Sequence, residues 1–239
     1  MYRGKLDTLR YYLNCINIYM TDTIPVNGIY TPEVQQLFDY TCTNLDKLNI
    51  KHDISRVEAF RNIDASGIHR DPLWKAVVLH KVIYGLNLVK KLSPGEVIIL
   101  SDMDVQPLQN YSKLLCYLDH HDICFMDEDD GRGGINTGFI LLRKTENVIN
   151  LFEDWLHQCQ LQMSSGEFLD DQVTLNNCIR VDKTYNYFIN KFPVDVITGR
   201  HSQITQRSVG FHAIRCKGSK IKLKRMKLAY DIYNRIITL

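Results

Sequence analysis

The sequence predicts an α/β fold, a mostly parallel mixed sheet flanked by helices, and three observations predict it. Short apolar runs rich in β-branched residues alternate with longer segments whose apolar residues recur at helical spacing. Two of the helical segments open on the same signal, a polar cap followed by proline, at Thr31-Pro32 and Asp71-Pro72. The run Val97 to Leu100 enters from Ser93-Pro94-Gly95 and leaves through Gln106-Pro107, which reads as a central strand of a parallel sheet. It feeds Asp102 and Asp104 at the carboxyl end of the strand, where ligands of such sheets bind.

Taken in order, Cys15 to Met20 reads as a first strand ending in the polar turn Thr21-Asp22-Thr23. Val34, Leu37, Phe38, Leu45 and Leu48 then mark a helix ending near Asn49, and His52 to Val57 a short, polar second strand. Glu58 to Arg70 has no clear period. Leu73 to Lys91 is apolar around much of its circumference, as in a helix packed on two sides. After the Asp102 strand come a short helix at Tyr111 to Leu118, a strand at His121 to Met126 and a strand at Gly138 to Leu142. Val148, Ile149, Phe152, Trp155, Leu156 and Cys159 then form one face of an amphipathic helix, broken at Ser164-Ser165-Gly166. A short helix from Leu169 through Leu175 and mixed strands and loops to Gly210 follow. Tyr230, Ile232, Tyr233, Ile236 and Ile237 predict a final helix packed on the domain, with the lysines that precede these residues near an anionic group.

At 239 residues, 45% hydrophobic and 23% charged, the chain suits one domain with a sizeable core. A net charge of +2 gives no global field for nucleic acid. The charge is uneven, however: Arg215 to Lys227 holds seven Lys or Arg in thirteen residues, and Asp127 to Asp130 is wholly acidic. Seven scattered cysteines without a C-x-x-C pair read as buried free thiols, not as disulfides or a zinc site. No apolar stretch has membrane-spanning length and the start lacks a signal-peptide core, so the expectation is a cytoplasmic protein or a domain cut from a longer one.

Two carboxylates one residue apart can face the same way where a strand ends, and their oxygens suit a hard divalent cation, Mg²⁺ or Mn²⁺, that would bridge phosphate. An Asp-x-Asp alone is weak evidence, since such pairs also occur in surface turns. The hydrophobic strand before it and the proline after it strengthen the reading.

The ordered set Ile99-Leu100-Ser101-Asp102-Met103-Asp104-Val105, Gly134 to Leu142, Leu169-Asp170-Asp171-Gln172 and Gly210-Phe211-His212 resembles the GT-A nucleotide-diphospho-sugar transferases, including the glycogenin and bacterial galactosyltransferase relatives. The likeness runs from about Cys15 to Lys217. It implies a nucleotide-binding half over residues 1–110 and a sugar and acceptor half over residues 111–239. It also implies Asp102, Asp104 and His212 as ligands of Mn²⁺ or Mg²⁺, with Ser101 and Met103 lining the donor. Asn136 and Thr137 would contact donor sugar hydroxyls, Gly138 would permit close backbone approach, and Asp171 and Gln172 would reach the reaction centre. Either Asp170 or Asp171 could instead cap the helix that follows. Relatives carry a lysine about six residues after the histidine to hold the diphosphate; here Lys217 stands at plus five, with Lys220 as the alternative. Thr21 and Asp22 match the base and ribose region by position, and Lys75 matches a nucleotide-proximal lysine loosely.

The implied activity is transfer of a sugar from a nucleoside-diphosphate sugar, UDP-sugar favoured, to a glycan, protein or lipid-linked acceptor hydroxyl. An inverting enzyme would need Asp171 or Asp170 as base and a retaining one would not. The sequence leaves that choice open. Two rivals are a noncatalytic sugar-nucleotide-binding module and a haloacid-dehalogenase-like phosphatase. The phosphatase is disfavoured by Gln106, where that family carries Thr or Val.

Overall fold

The computed structural model describes residues 24–58, 72–128, 134–214 and 218–239. The expected strand at Cys15 to Met20, together with Thr21, Asp22, Asp71 and Lys217, lies outside them. The described chain starts in β1 (Val26–Tyr30), and a 3-10 turn at Pro32–Val34 leads to α1 (Gln35–Lys47). Next come β2 (His52–Arg56), α2 (Pro72–Lys91), β3 (Val97–Ser101) and β4 (Val105–Pro107). A 3-10 segment at Tyr111–Leu118 precedes β5 (Ile123–Asp127) and β6 (Ile135–Arg143). Helices α3 (Glu146–Ser165) and α4 (Asp171–Val181) are followed by the short strands β7 (Ile189–Lys191), β8 (Ile197–Thr198) and β9 (Gly210–His212). Helix α5 (Ser219–Ile237) closes the chain.

Six strands form one sheet in the order β2-β1-β3-β6-β5-β7. β3 is central, as the sequence predicts, but its sheet is not purely parallel. It pairs in parallel with β1 and antiparallel with β6, and β6 is antiparallel to β5 as well. Apolar residues alternate between the two faces, as strand geometry requires. Ile98, Ile123, Phe125, Ile140 and Leu142 face α2 and α3, where they meet Val82, Phe152 and Trp155. Ile99, Cys124, Met126, Phe139 and Leu141 face the opposite core, with Leu45, Tyr111, Leu114 and Phe192. The polar β2 is an edge strand, which explains its lack of an apolar run.

Helix boundaries follow local chemistry. Thr145 caps α3 by accepting from the Val148 amide, and Gly166 ends it in the left-handed region at φ 78°. Helix α4 runs past the expected Leu175 to Val181, its cap being Asp170, whose Oδ1 accepts from the Val173 amide at 2.6 Å. Asn136, Thr137 and Gly138 lie inside β6, not in a turn before it. The β5–β6 register shifts between Phe125 and Met126, so Thr137, Gly138 and Phe139 have no partner on β5. They remain bound to the Asp102 strand, where Ser101 pairs with Phe139 and the Asp102 amide donates to the Gly138 carbonyl at 2.8 Å.

A second, three-stranded sheet in the order β4-β9-β8 sits beyond the end of β3. Helices α1 and α5 cover it through a third apolar cluster that includes Leu37, Met103, Phe211, Met226 and Tyr233. Among the described residues, no helix is long and apolar enough to cross a membrane.

Candidate active site

The second sheet delivers the histidine to the aspartates. Antiparallel pairing of β4 with β9 sets Val105 opposite His212, and the Ala213 amide donates to the Asp104 carbonyl at 2.9 Å. His212 Nε2 consequently lies 3.2 Å from Asp104 Oδ1 and 3.9 Å from Asp102 Oδ2. One donor atom from each residue lies within 4.8 Å of the others, a separation that one cation can span. Two carboxylate oxygens and an imidazole nitrogen fit Mn²⁺ or Mg²⁺. The other ring nitrogen of His212 is buried and has no hydrogen-bond partner among the described residues, so the imidazole's polar contacts point at the carboxylates.

Two lysines that the sequence reading did not single out grip these acids. From α2, Lys81 Nζ stands 2.8 Å from Asp171 Oδ2 and 3.3 Å from Asp102 Oδ1, within 3.4 Å of both oxygens of Thr137. From α5, Lys222 Nζ stands 2.6 Å from Asp104 Oδ2. Burial alone would lower the pKa of the Lys81 ammonium, but Asp102 and Asp171 outweigh it and raise that pKa above its ordinary value. Burial likewise opposes ionisation of Asp104, yet Lys222 and then His212 outweigh it and hold the carboxyl well below the usual range.

The predicted sugar-side residues converge as well. Thr137 Oγ1 donates to Asp171 Oδ2 at 3.0 Å, and Trp155 Nε1 donates to the Asp171 carbonyl at 2.8 Å, fixing the start of α4. Gln172 Oε1 accepts from the Thr137 amide at 3.4 Å. Its Nε2 and that of Asn136, Nδ2, both donate to Glu128 Oε2, at 2.5 and 3.3 Å. Glu128 is a further acid of the site that the sequence reading left inside an undifferentiated acidic run. It also lines an open groove with Gln172, Asn177, Arg180, Asn186 and Lys191.

The remaining expected residues differ in where they stand. Met103 is buried in the cluster beneath α1 and α5, its carbonyl accepting from Thr41 Oγ1 at 2.9 Å, so it serves packing. Ser101 is half-buried at the mouth of a small cavity beside Asp102 and Lys81. Lys75 is half-buried in the first turns of α2, while the α2 lysine that touches the acids is Lys81. A lysine inside a helix that is apolar nearly all round was the available signal: such a charge must find a buried partner.

Solved structures share the architecture. A glycosyltransferase involved in glycosylation of the major capsid of PBCV-1 aligns over 86% of this chain and 99% of its own, with a TM-score of 0.57 at 11% identity. The galactosyltransferase LgtC, solved with donor and acceptor sugar analogues, aligns over 90% of this chain and 97% of its own, with a TM-score of 0.54 at 10% identity. The glycosyltransferase GlyE of Streptococcus pneumoniae TIGR4 aligns over 91% of this chain and 64% of its own, with a TM-score of 0.57 at 10% identity. At such identities the likeness establishes the fold, which is GT-A. No curated protein sequence matches the chain. The sequence profile of the nucleotide-diphospho-sugar transferases, however, matches residues 72–226, from the start of α2 into α5, and so spans every aspartate and lysine of the cluster. By that match the phosphatase alternative falls, and the chain belongs to the nucleotide-diphospho-sugar transferase family and is a glycosyltransferase.

Proposed function

We propose that this glycosyltransferase is metal-dependent and moves a sugar from a nucleoside-diphosphate donor, UDP-sugar favoured, to the hydroxyl of a glycan, protein or lipid-linked acceptor. The observation that carries the reading is the convergence of Asp102, Asp104 and His212 beside the Lys81–Asp171 pair. When bound, Mn²⁺ or Mg²⁺ would neutralise the charge that gathers on the departing diphosphate. The chain's own residues do the rest. Asp102, Asp104 and His212 hold the cation, and Lys217, five residues after His212 in the sequence, is the proposed further counter-charge. Asn136, Thr137, Asp171 and Gln172 orient the sugar, with Lys81 holding the Asp171 carboxylate in place. Glu128 stands between the Asn136 and Gln172 amides and the open groove, where it can receive the acceptor hydroxyl. In this reading residues 1–110 serve mainly the nucleotide and residues 111–239 the sugar and acceptor.

Calorimetric titration of a panel of nucleotide sugars, with and without Mn²⁺, tests this on the native chain and on Asp104→Asn. Binding that needs Mn²⁺ and is lost in the variant supports the reading, as does release of nucleoside diphosphate when acceptors are added. Metal-independent binding equal in both proteins would remove the metal role, and tight donor binding without turnover would favour a noncatalytic module.

A further inference from the structure

Both oxygens of Asp104 are engaged in this structure, Oδ1 by the His212 imidazole and Oδ2 by the Lys222 ammonium. Asp104 itself is 5% exposed, so both contacts are sheltered from water. We infer that Lys222 is a tethered counter-cation that competes with the divalent metal for Asp104 and passes to the donor's diphosphate, making metal and donor binding mutually dependent. The inference rests on the metal-dependent reading above.

The charge balance supports it. Counting carboxylates and ammonium groups alone, Asp102, Asp104 and Asp171 against Lys81 and Lys222 leave the cluster with one net negative charge. A divalent cation added to that cluster leaves one net positive charge, with an ammonium beside the ion it must share a carboxylate with. An anionic diphosphate relieves that repulsion, so each ligand favours the other. Coupling of this kind is reciprocal: the factor by which the donor tightens metal binding equals the factor by which the metal tightens donor binding.

Lys81 is held among Asp102, Asp171 and Thr137, and Lys222 rises from the first turn of α5 with its side chain 32% exposed, which gives it a path toward solvent. The helix itself is pinned: Arg225 donates to the Ile214 carbonyl and, at 3.0 Å, to that of Gly199. Movement is accordingly assigned to the Lys222 side chain. Of the neighbouring lysines, Lys220, Lys224 and Lys227 are exposed. Among the described residues of this basic run, Lys222 and Arg225 thus turn inward while these three lysines face solvent.

The test measures Mn²⁺ alone by the loss of its free electron paramagnetic resonance signal, then UDP by calorimetry at saturating Mn²⁺. Lys222→Gln is expected to bind Mn²⁺ alone more tightly, by on the order of tenfold, and UDP in the presence of Mn²⁺ more weakly, so that the coupling factor shrinks. Lys222→Arg keeps the charge and is expected to stay near the native values. Lys224→Gln makes the same change of net charge on the exposed face and is expected to alter neither. Weaker or unchanged Mn²⁺ binding by Lys222→Gln, with native binding intact, would overturn the inference and leave the metal site standing, since a merely orienting lysine would lower affinity when lost. Failure of the native protein to bind Mn²⁺ with or without UDP would overturn both.

Discussion

A Cβ built on Gly138 would lie 2.1 Å from Cε1 and 2.8 Å from Nε2 of His212, so the imidazole fills the space that this glycine leaves. The sequence reading reserved that space for a ligand approaching the backbone; a side chain of the protein takes it. The same glycine's carbonyl anchors the Asp102 amide, so one residue of β6 touches two of the three prospective ligands. Gly138→Ala is therefore expected to displace His212, which is 4% exposed with little room to move. Mn²⁺ affinity should fall by more than about tenfold, with a stability loss of roughly 1–3 kcal/mol from overpacking. Calorimetry and denaturant unfolding measure the two effects, and native Mn²⁺ affinity in the variant would contradict the relationship.

Lys81→Met leaves Asp102 and Asp171 without their shared ammonium. A loss of roughly 1–3 kcal/mol is expected, less than for a fully buried pair because a quarter of the Lys81 side chain reaches solvent. Catalysis should suffer more than stability, by about a hundredfold or more in kcat, since Asp171 loses the partner that fixes it. A variant with native kcat would assign Lys81 to structure alone.

Adjacent aspartates at the head of α4 should separate in their effects. Asp170 caps the helix and Asp171 faces Lys81 and Thr137. Asp170→Ala is expected to cost roughly 0.5–2 kcal/mol of stability while keeping most of the turnover, whereas Asp171→Asn should keep the fold and lose turnover. Thermal unfolding beside steady-state kinetics on both variants distinguishes them, and the opposite pattern would exchange the roles.

Cys42 offers a pH test away from the site. Burial, then Asp46 and Asp39, push its thiol up to about 11. A raised thiol pKa means less thiolate at neutral pH, so alkylation by iodoacetamide should be slow at pH 7 and climb only as pH nears 11. Mass-spectrometric mapping of the modified peptide reads this out, and rapid labelling at pH 7 would show the thiol to be more exposed or closer to a cation than the fold places it.

The elements most legible in the sequence were those whose signals are local. The apolar face from Val148 to Cys159 and the Val97 run match α3 and β3 closely, because period and turn residues act within a few positions, whereas Thr31-Pro32 opens a 3-10 turn without a cap from the Thr31 side chain and α1 starts only at Gln35. Asp170 as the cap was open between two adjacent acids until the backbone decided it. What the sequence hid depends on packing partners. The antiparallel β6 beside β3 leaves no trace in the Val97 run, which is apolar whichever neighbour pairs with it. The register slip that places Asn136 to Gly138 inside a strand comes from what β5 does opposite. Lys81 and Lys222 were hidden for a related reason: a charge in a basic run, or in a helix apolar all round, reveals its partner only once the helix is docked. Met103 went the other way, since its position between two aspartates suggested the donor while its side chain joined the core under α1 and α5.

The small sheet that carries His212 also bears on how the protein is made. Asp104 and His212 lie far apart in the chain, yet they meet only when β9 adds to β4. A polypeptide still emerging, or cut anywhere between them, holds both aspartates but no complete clamp. An ion gripping all three residues would therefore add its binding free energy to the finished fold alone, as a latch between the middle of the chain and its final quarter. Metal loading would in this way register the completion of folding before any sugar is handled.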